Sequence, residues 1–257
     1  MGERSQMYVK AERTYQMNDE NWRTDKGFLP LYFQWNVPEN MVARAKQMIY
    51  TNMYDYLLVS GRKAWEHEVQ AMTEVNYSAV KGSPSFSCAS NLKEEIRDNI
   101  EDAPRWKGRE FTKEEKWEEM SNVFYCDNNH GCFYLSVSVN QEYKGPAHFD
   151  IKYAFEDSEG NLLSAQKYIE QSIYEPDNPE ICQENVEYIE KFATLMTERE
   201  LEQFKIDGLS IMAKENRMNE NEIKEMVYYL KGIGDIKDFE EEPEMSEPVP
   251  VEIGEER

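Results

Sequence analysis

The chain has 257 residues, of which 40% are hydrophobic and 12% aromatic, so it has enough apolar material to fold around a core. Its formal net charge of −22 disfavours direct binding to nucleic acid, because that binding needs Lys and Arg to displace the counterions of the phosphates. The lack of a long apolar run argues against a membrane span, and four scattered cysteines argue against a disulfide scaffold. We therefore expect a cytoplasmic protein.

The N-terminal region predicts a β-hairpin. Residues 6–15 can form a first strand, and residues 29–35 alternate apolar with polar side chains in the period-two pattern of a second strand. The polar segment 18–27 between them is typical of a turn. The two strands are therefore predicted to pair with each other.

A long helix is predicted directly after this hairpin. Pro38 stands where a helix tolerates proline, in its first turn, and apolar residues then recur every three or four positions. The pattern predicts a helix over about 38–59 that packs on the sheet, with Arg44 facing water. The apolar stripe consists of Met41, Val42, Ala45, Met48, Ile49, Met53 and Tyr56.

Four short segments carry a resemblance to a known family. They are Glu-Arg-x-Gln-x-Tyr-Val at 3–9, Phe-Gln-Trp-Asn at 33–36, Met-x-x-Arg-Ala at 41–45 and Asn-Asn-His-Gly at 128–131. Together they resemble an uncharacterised family of phage and prophage proteins from Gram-positive bacteria, whose members tend to have Asp where this chain has His130. The resemblance implies an origin in a phage or another mobile element, and it implies no established biochemical activity.

The middle of the chain predicts two further hairpins. The first would join strands over 122–127 and 132–140 through the Asn-Asn-His-Gly turn, and the second would join strands over 148–156 and 162–171. Combined with the N-terminal hairpin, these strands predict an antiparallel sheet. Since helices precede and follow them, the predicted fold class is α+β.

The pattern becomes helical from residue 179 onward. Thr197 with Glu200, and Asn219 with Glu222, have the spacing of a capping box and are predicted to begin two of the helices. We therefore expect the antiparallel sheet to be packed by the long helix and by a C-terminal helical cluster.

Three units are predicted along the chain. They are an α+β domain over 1–175, a helical subdomain over 176–234 and an acidic mobile tail over 235–257. The tail has ten acidic residues against two basic ones, and it has too few apolar residues to offset the entropy lost on ordering.

Two alternatives remain open for this tail. It is a solvated terminus without a role, or it is a phosphate-mimicking arm that binds a basic partner. In the second case the candidate partner-binding residues are Asp238, Glu240, Glu241, Glu242, Glu244 and Glu247.

No catalytic, metal-binding or cofactor-binding motif stands out, so no cofactor is predicted and the sequence favours a protein that is not an enzyme. One alternative is a thiol hydrolase with Cys132 as the nucleophile and His130 as its neighbour. Clustering within one turn is weak support, however, because the members of a catalytic triad usually converge from distant segments.

A second alternative is a transcriptional regulator with a helix-turn-helix over 209–231. Ala213 and Ile223 have the spacing of the two packing positions of that motif. The helix that would lie in the DNA groove carries Glu220, Glu222 and Glu225, and these carboxylates would repel the phosphates. A helical hairpin that packs on the sheet explains the same pattern.

The function predicted from these observations is that of a phage- or prophage-derived accessory protein that acts by protein–protein binding. An acidic surface suits a basic partner, and the expected partner is a host protein with a basic nucleic-acid-binding surface. Inhibition of a host defence complex would follow if carboxylates occupied the place of its nucleic acid. Neither a nucleic acid nor a membrane is expected as a direct partner.

Overall fold

A computed structural model describes residues 4–18, 21–34, 36–54, 65–67, 69, 89–125, 130–173 and 175–237. The strands, in chain order, are β1 (Arg4–Gln16), β2 (Trp22–Gln34), β3 (Ala89–Asn91), β4 (Cys132–Gln141), β5 (Ala147–Glu156), β6 (Leu162–Leu163) and β7 (Thr194–Leu195). The helices are α1 (Pro38–Tyr54), α2 (Leu92–Lys107), α3 (Lys113–Ser121), α4 (Ala165–Glu170), α5 (Pro179–Phe192), α6 (Glu198–Glu215) and α7 (Glu220–Ile233). None of these helices is long and apolar enough to cross a membrane.

Within these ranges β1 lies near the centre of a seven-stranded sheet with the order β3-β2-β1-β4-β5-β6, and β7 pairs with β5. The pairing of β1 with β2 runs from Arg4 opposite Gln34 to Gln16 opposite Trp22, which confirms the predicted N-terminal hairpin. The sheet is mostly antiparallel and the fold class is α+β, as predicted. Two pairings are parallel, however: β1 with β4, and β5 with β7.

The first predicted central hairpin is wrong. Residues Asn122–Phe124 form one turn of 3₁₀-helix, while residues 126–129 lie outside the described part of the chain. Val123 is fully buried, and its carbonyl accepts a hydrogen bond from the Tyr8 hydroxyl at 2.9 Å. Because β1 and β5 pair with the two edges of β4, no edge of that strand is left for a strand over 122–127.

The second predicted central hairpin is present in a shortened form. Strand β5 pairs antiparallel with β6, with Phe155 opposite Leu163, but the predicted strand over 162–171 is reduced to the two residues of β6. Along its length β5 pairs with β4 on its other edge. Ser164 ends β6 because its side chain accepts a hydrogen bond from the backbone N–H of Lys167, which starts α4. Tyr168 of that helix then stacks on Phe155, with 4.5 Å between ring centroids.

Helices cover both faces of the sheet, so two apolar cores form. Met7, Val9 and Ala11 point to one face, where α1, α4 and α5 pack, and we call this the first core. Tyr8, between them, points to the opposite face, where α2, α3, α6 and α7 pack around the second core. The alternation along β1 therefore places its side chains in two different cores, as expected for a central strand.

The predicted long helix is present as α1, and five residues of its predicted stripe lie in the first core: Met41, Val42, Ala45, Met48 and Ile49. Its predicted continuation to residue 59 falls outside the described residues. Arg44 was expected to face water, but only 2% of this residue is exposed. Its Nε donates a hydrogen bond to Asn36 Oδ1 at 3.2 Å, and its guanidinium lies 4.5 Å from the centroid of the Phe33 ring. The hydrogen bond and the contact with the aromatic face compensate for the hydration that the guanidinium loses on burial.

Candidate functional site

The six predicted partner-binding carboxylates of the tail lie outside the described residues, which end at Lys237. Their role therefore stays a prediction. The separation of the chain into an α+β domain and a helical subdomain stays a prediction as well. Asp235 lies inside the predicted mobile tail, yet it contacts the body of the protein, because its Oδ2 accepts a hydrogen bond from the Ser121 hydroxyl at 2.7 Å.

Cys132 and His130 lie at the start of β4, where neither is open to solvent. Cys132 is 4% exposed, belongs to the second core and donates a weak S–H hydrogen bond to Gln6 Oε1 at 3.5 Å. The backbone N–H of His130 donates to the carbonyl of Arg4. A nucleophilic cysteine has to be reached by its substrate, and the burial of this thiol does not provide that access.

Around Cys132 the second core contains a polar network. The Tyr134 hydroxyl donates a hydrogen bond to Glu156, and Glu156 also pairs with Lys205 at 3.2 Å. Burial, followed by the nearby Cys132 and Glu156, raises the pKa of Tyr134 well above its usual value. The hydroxyl therefore stays protonated near neutral pH and serves as a hydrogen-bond donor. An acid–base catalyst needs a pKa close to the working pH, and the raised pKa of Tyr134 does not favour that role for its hydroxyl.

The predicted helix-turn-helix segment does form two helices joined by a short turn. Arg217 adopts φ +64°, the left-handed conformation for which glycine is the usual residue, and Ala213 and Ile223 are buried. The second helix, α7, exposes Glu220 and Glu225, and Glu225 pairs with Lys113 at 2.6 Å. The packing thus fits a helical hairpin on the sheet, and DNA binding by this segment stays a prediction.

A cavity of about 560 Å³ lies between the start of α2 and the end of α6. At its border Lys93 Nζ is 2.6 Å from Glu66 Oε1 and 3.3 Å from Glu215 Oε2. These three side chains come from distant segments of the chain and are largely shielded from solvent. By pairing with two carboxylates, Lys93 connects α2 to Glu66 and to the end of α6.

Among the described residues no group of three or more His, Cys, Asp or Glu side chains could hold a metal ion.

The strongest candidate site is the outer face of α5, where three glutamates share one side of the helix. Glu180, Glu184 and Glu187 are all exposed, and at about 100° per residue they lie within about 60° of one another. We call these three residues the glutamate face. No ion pair within the described ranges includes any of them. Glu187 Oε1 accepts a hydrogen bond from the Gln183 side chain at 3.3 Å, and no basic side chain of the described residues neutralises the three carboxylates.

The opposite side of α5 fixes the orientation of this face. Val186 and Ile189 are buried in the first core, and buried Asn185 accepts a hydrogen bond from Lys46 Nζ at 2.8 Å. At the start of the helix, the Glu39 carboxylate accepts hydrogen bonds from the backbone N–H groups of Asp177 and Asn178. Helix α5 is thus held along its length by α1, and the glutamate face is presented from a rigid element.

An exposed apolar side chain lies next to the glutamate face in the sequence. Ile181, the neighbour of Glu180 on α5, is 52% exposed. Large exposed apolar residues beside a polar face are a feature of protein-binding surfaces. Ile181 therefore adds an exposed apolar surface next to the three carboxylates.

Sequence reasoning missed the glutamate face, although its signal is local. Val186 and Ile189 indicate the buried side of a helix, and the same periodicity assigns Glu180, Glu184 and Glu187 to the opposite side. The overall acidity of the chain concealed this pattern, because the tail has the denser run of carboxylates. The Lys93 cluster had no signal of this kind, since its partners are far apart in the sequence.

The structure thus defines an α+β protein with a rigid acidic helix face. No protein-family model, no curated protein and no solved structure matches the chain.

Proposed function

We propose that this protein acts by binding a basic partner protein through the glutamate face, without catalysis. The single observation that carries the proposal is the set of three exposed carboxylates on one side of α5, none of them in an ion pair within the described ranges. Carboxylates elsewhere in the described ranges, such as Asp207 and Glu200, already form an ion pair with a basic side chain of the same protein. Carboxylates that are aligned and not neutralised by a basic side chain repel one another, and a basic partner relieves that repulsion.

The class of partner that we propose is a host protein with a basic nucleic-acid-binding surface. Glu180 and Glu184 are separated by about 6 Å along the helix axis, so the glutamate face presents closely spaced negative charges, as a phosphate backbone does. The glutamate face would therefore compete with the phosphate backbone. Inhibition of a host defence complex, in the cytoplasm of the host cell, is the function we propose for this competition.

The proposed origin in a phage or prophage is supported by the four sequence segments that resemble that family. Two of them meet in the fold: Arg44 of the Met-x-x-Arg-Ala segment donates its hydrogen bond to Asn36, the last residue of the Phe-Gln-Trp-Asn segment. The segments therefore serve the packing of α1 against the sheet. They support common ancestry, and they are separate from the surface proposed to bind the partner.

Charge reversal tests the proposal. The variant Glu180→Lys, Glu184→Lys and Glu187→Lys changes the glutamate face, and the matched control reverses three exposed carboxylates on one side of α2. The control variant is Glu95→Lys, Asp98→Lys and Asp102→Lys, which changes the net charge by the same amount. Each protein is immobilised and incubated with host lysate at low salt, and the captured proteins are quantified by mass spectrometry.

We expect the wild type and the control to capture at least one basic host protein. The captured amount of that protein should be at least tenfold lower with the glutamate-face variant. Its recovery should fall as salt rises, because exposed charge pairs are screened. The captured partner should also release bound nucleic acid when the wild type is added. If both variants capture the same proteins in the same amounts, binding through the glutamate face is refuted.

A further inference from the structure

A second cavity, of about 450 Å³, lies between the sheet and α6. The charged strand side chains that line it follow Tyr8 along β1 and precede Phe28 along β2 in steps of two, so they share the face of the second core. Helix α6 contributes residues at positions i, i+4 and i+7, which lie on one side of a helix. We call this cavity the lysine cleft, and its main lining residues are Lys10, Glu12, Lys26, Asp207, Ile211 and Lys214.

Two of these lysines are held by carboxylates of the same cleft. Lys10 Nζ lies 2.5 Å from Asp207 Oδ2 and 5.4 Å from the centroid of the Phe204 ring, and only 13% of the Lys10 side chain is exposed. Lys26 Nζ lies 2.8 Å from Glu12 Oε2. The first pair connects β1 to α6 and the second connects β1 to β2. Both ammonium groups are therefore kept beside the cleft.

The lysine cleft has more hydrogen-bond donors than its own acceptors can use. An ammonium group has three N–H donors, and the pairs with Asp207 and Glu12 each occupy one donor of a lysine. Asp207 already accepts a second hydrogen bond, from Gln203 Nε2 at 2.8 Å. Lys214 has no ion pair in the part of the chain that the structure describes.

The balance of charge in the cleft is the opposite of that of the whole chain. Three ammonium groups stand against two carboxylates there, whereas the chain has a formal net charge of −22. A bound anion would neutralise the excess positive charge and would accept hydrogen bonds from the donors that remain. The composition of the cleft therefore favours an anionic ligand.

We propose that the lysine cleft binds a small organic phosphate, such as a sugar phosphate. A phosphate monoester has close to two negative charges at neutral pH and three strong acceptor oxygens, so it can use several ammonium donors at once. The volume of the cleft is within the range of small-molecule sites and leaves room for an organic group beside the phosphate. Ile211 gives that group an apolar contact, and the carboxylates of Glu12 and Asp207 can accept hydrogen bonds from its hydroxyl groups.

This site is separate from the glutamate face. Helix α6 packs in the second core, whereas α5 packs in the first core on the other side of the sheet. A ligand in the lysine cleft therefore leaves the glutamate face uncovered. The binding of the small phosphate is tested without any partner protein, so it does not depend on the proposed function.

Titration of the full-length, isotope-labelled protein, followed by heteronuclear NMR, tests the proposal. The probes are ribose 5-phosphate, inorganic phosphate and ribose, all at one constant ionic strength, because salt alone alters exposed charge pairs. We expect ribose 5-phosphate to shift the amide signals of residues 10–12, 24–26 and 207–214 with a Kd of about 1 mM or lower. Inorganic phosphate should shift the same signals with a higher Kd, and ribose should shift none of them.

Two variants locate the binding. Lys26→Met and Lys214→Met each remove one exposed ammonium group from the cleft, so both variants should fold, and Lys224→Met on the exposed side of α7 is the matched control. We expect the Kd for ribose 5-phosphate to rise about fivefold or more in each cleft variant and to stay unchanged in the control. The proposal is overturned if about 10 mM ribose 5-phosphate shifts none of these signals, or if the cleft variants bind it as tightly as the control does.

Discussion

The six-membered ring of Trp65 fills the space that a side chain at Gly27 would occupy. A Cβ built at position 27 would come within 2.6 Å of the Trp65 ring, and Trp65 is fully buried in the first core. Gly27 lies in β2, opposite Ala11 of β1. The two small residues leave room on the sheet, and the indole occupies it.

The variant Gly27→Ala should therefore destabilise the protein by about 1–3 kcal/mol, because the buried ring has to shift to admit a methyl group. Urea unfolding measures the difference. The control is Gly232→Ala in α7, where a Cβ would meet nothing within 4 Å. That change should be neutral or stabilising by up to about 1 kcal/mol, because alanine favours the helix. Equal stability of the wild type and Gly27→Ala would contradict the packing described.

Asn36 connects a buried arginine to the sheet. Its Oδ1 accepts a hydrogen bond from Arg44, and its Nδ2 donates to the Ser5 hydroxyl. The variant Asn36→Ala should cost about 2–4 kcal/mol, because a buried charge and a buried hydroxyl each lose a partner. The measurement is again urea unfolding, with Asn140→Ala on the exposed surface of β4 as the control. If Asn36→Ala lowered the free energy of unfolding by no more than the control does, Arg44 would be held by its other contacts.

Glu200 should make stability depend on pH. Hydrogen bonds from Lys152 at 2.7 Å, followed by that from the Thr197 backbone N–H, lower the pKa of Glu200 to about 2. A lowered pKa in the folded state gives stability that is present above the unfolded value of about 4.3 and is lost as pH falls toward about 2. Because Glu200 is partly exposed, the contribution at neutral pH should be only about 0.5–1 kcal/mol.

The variant Glu200→Gln isolates this contribution, since glutamine can still accept the hydrogen bond from Thr197. We expect it to be less stable than the wild type at pH 7 and equal to it near pH 2, as measured by thermal unfolding across that range. Glu198→Gln, an exposed glutamate in the same helical turn, is the control and should show no such trend. A difference that persists unchanged at pH 2 would count against the ion pair.

The two described cysteines should resist alkylation in the folded protein. Burial, followed by the nearby Glu39, raises the pKa of Cys182 to about 11, and Cys132 is almost fully buried. Iodoacetamide at pH 7.5, with peptide mapping by mass spectrometry, should label both only after unfolding in urea, because the thiolate is the reactive form. Rapid labelling of Cys132 in the folded state would instead favour the thiol hydrolase.

The parts of the fold that depend on neighbouring residues were predictable from the sequence. Two predicted capping boxes, Thr197 with Glu200 and Asn219 with Glu222, are present in full. Each consists of two reciprocal hydrogen bonds within one helical turn, so spacing is sufficient evidence. The N-terminal hairpin was predictable for a similar reason, because its strands are adjacent in the chain.

The parallel partner of β1 was not predictable in this way. Alternation in β4 indicates which side chains share a face, and it contains no information about which strand lies alongside. The contact of Glu202 with the Lys237 N–H and the burial of Arg44 were not predictable for the same reason, since each depends on a contact between segments that are apart in the sequence. The glutamate face is local, and helical periodicity alone could have identified it.

The parallel pairing of β1 with β4 has a consequence for the synthesis of this protein. Gln6 lies beside Cys132, so β1 has to wait for a neighbour that is made 126 residues later. At about 5–20 residues per second, the apolar β1–β2 hairpin leaves the ribosome roughly 5–20 s before β4 is complete. During that interval the edge of β1 that pairs with β4 is unpaired. We expect slow refolding from denaturant and a nascent chain that needs chaperones to escape aggregation.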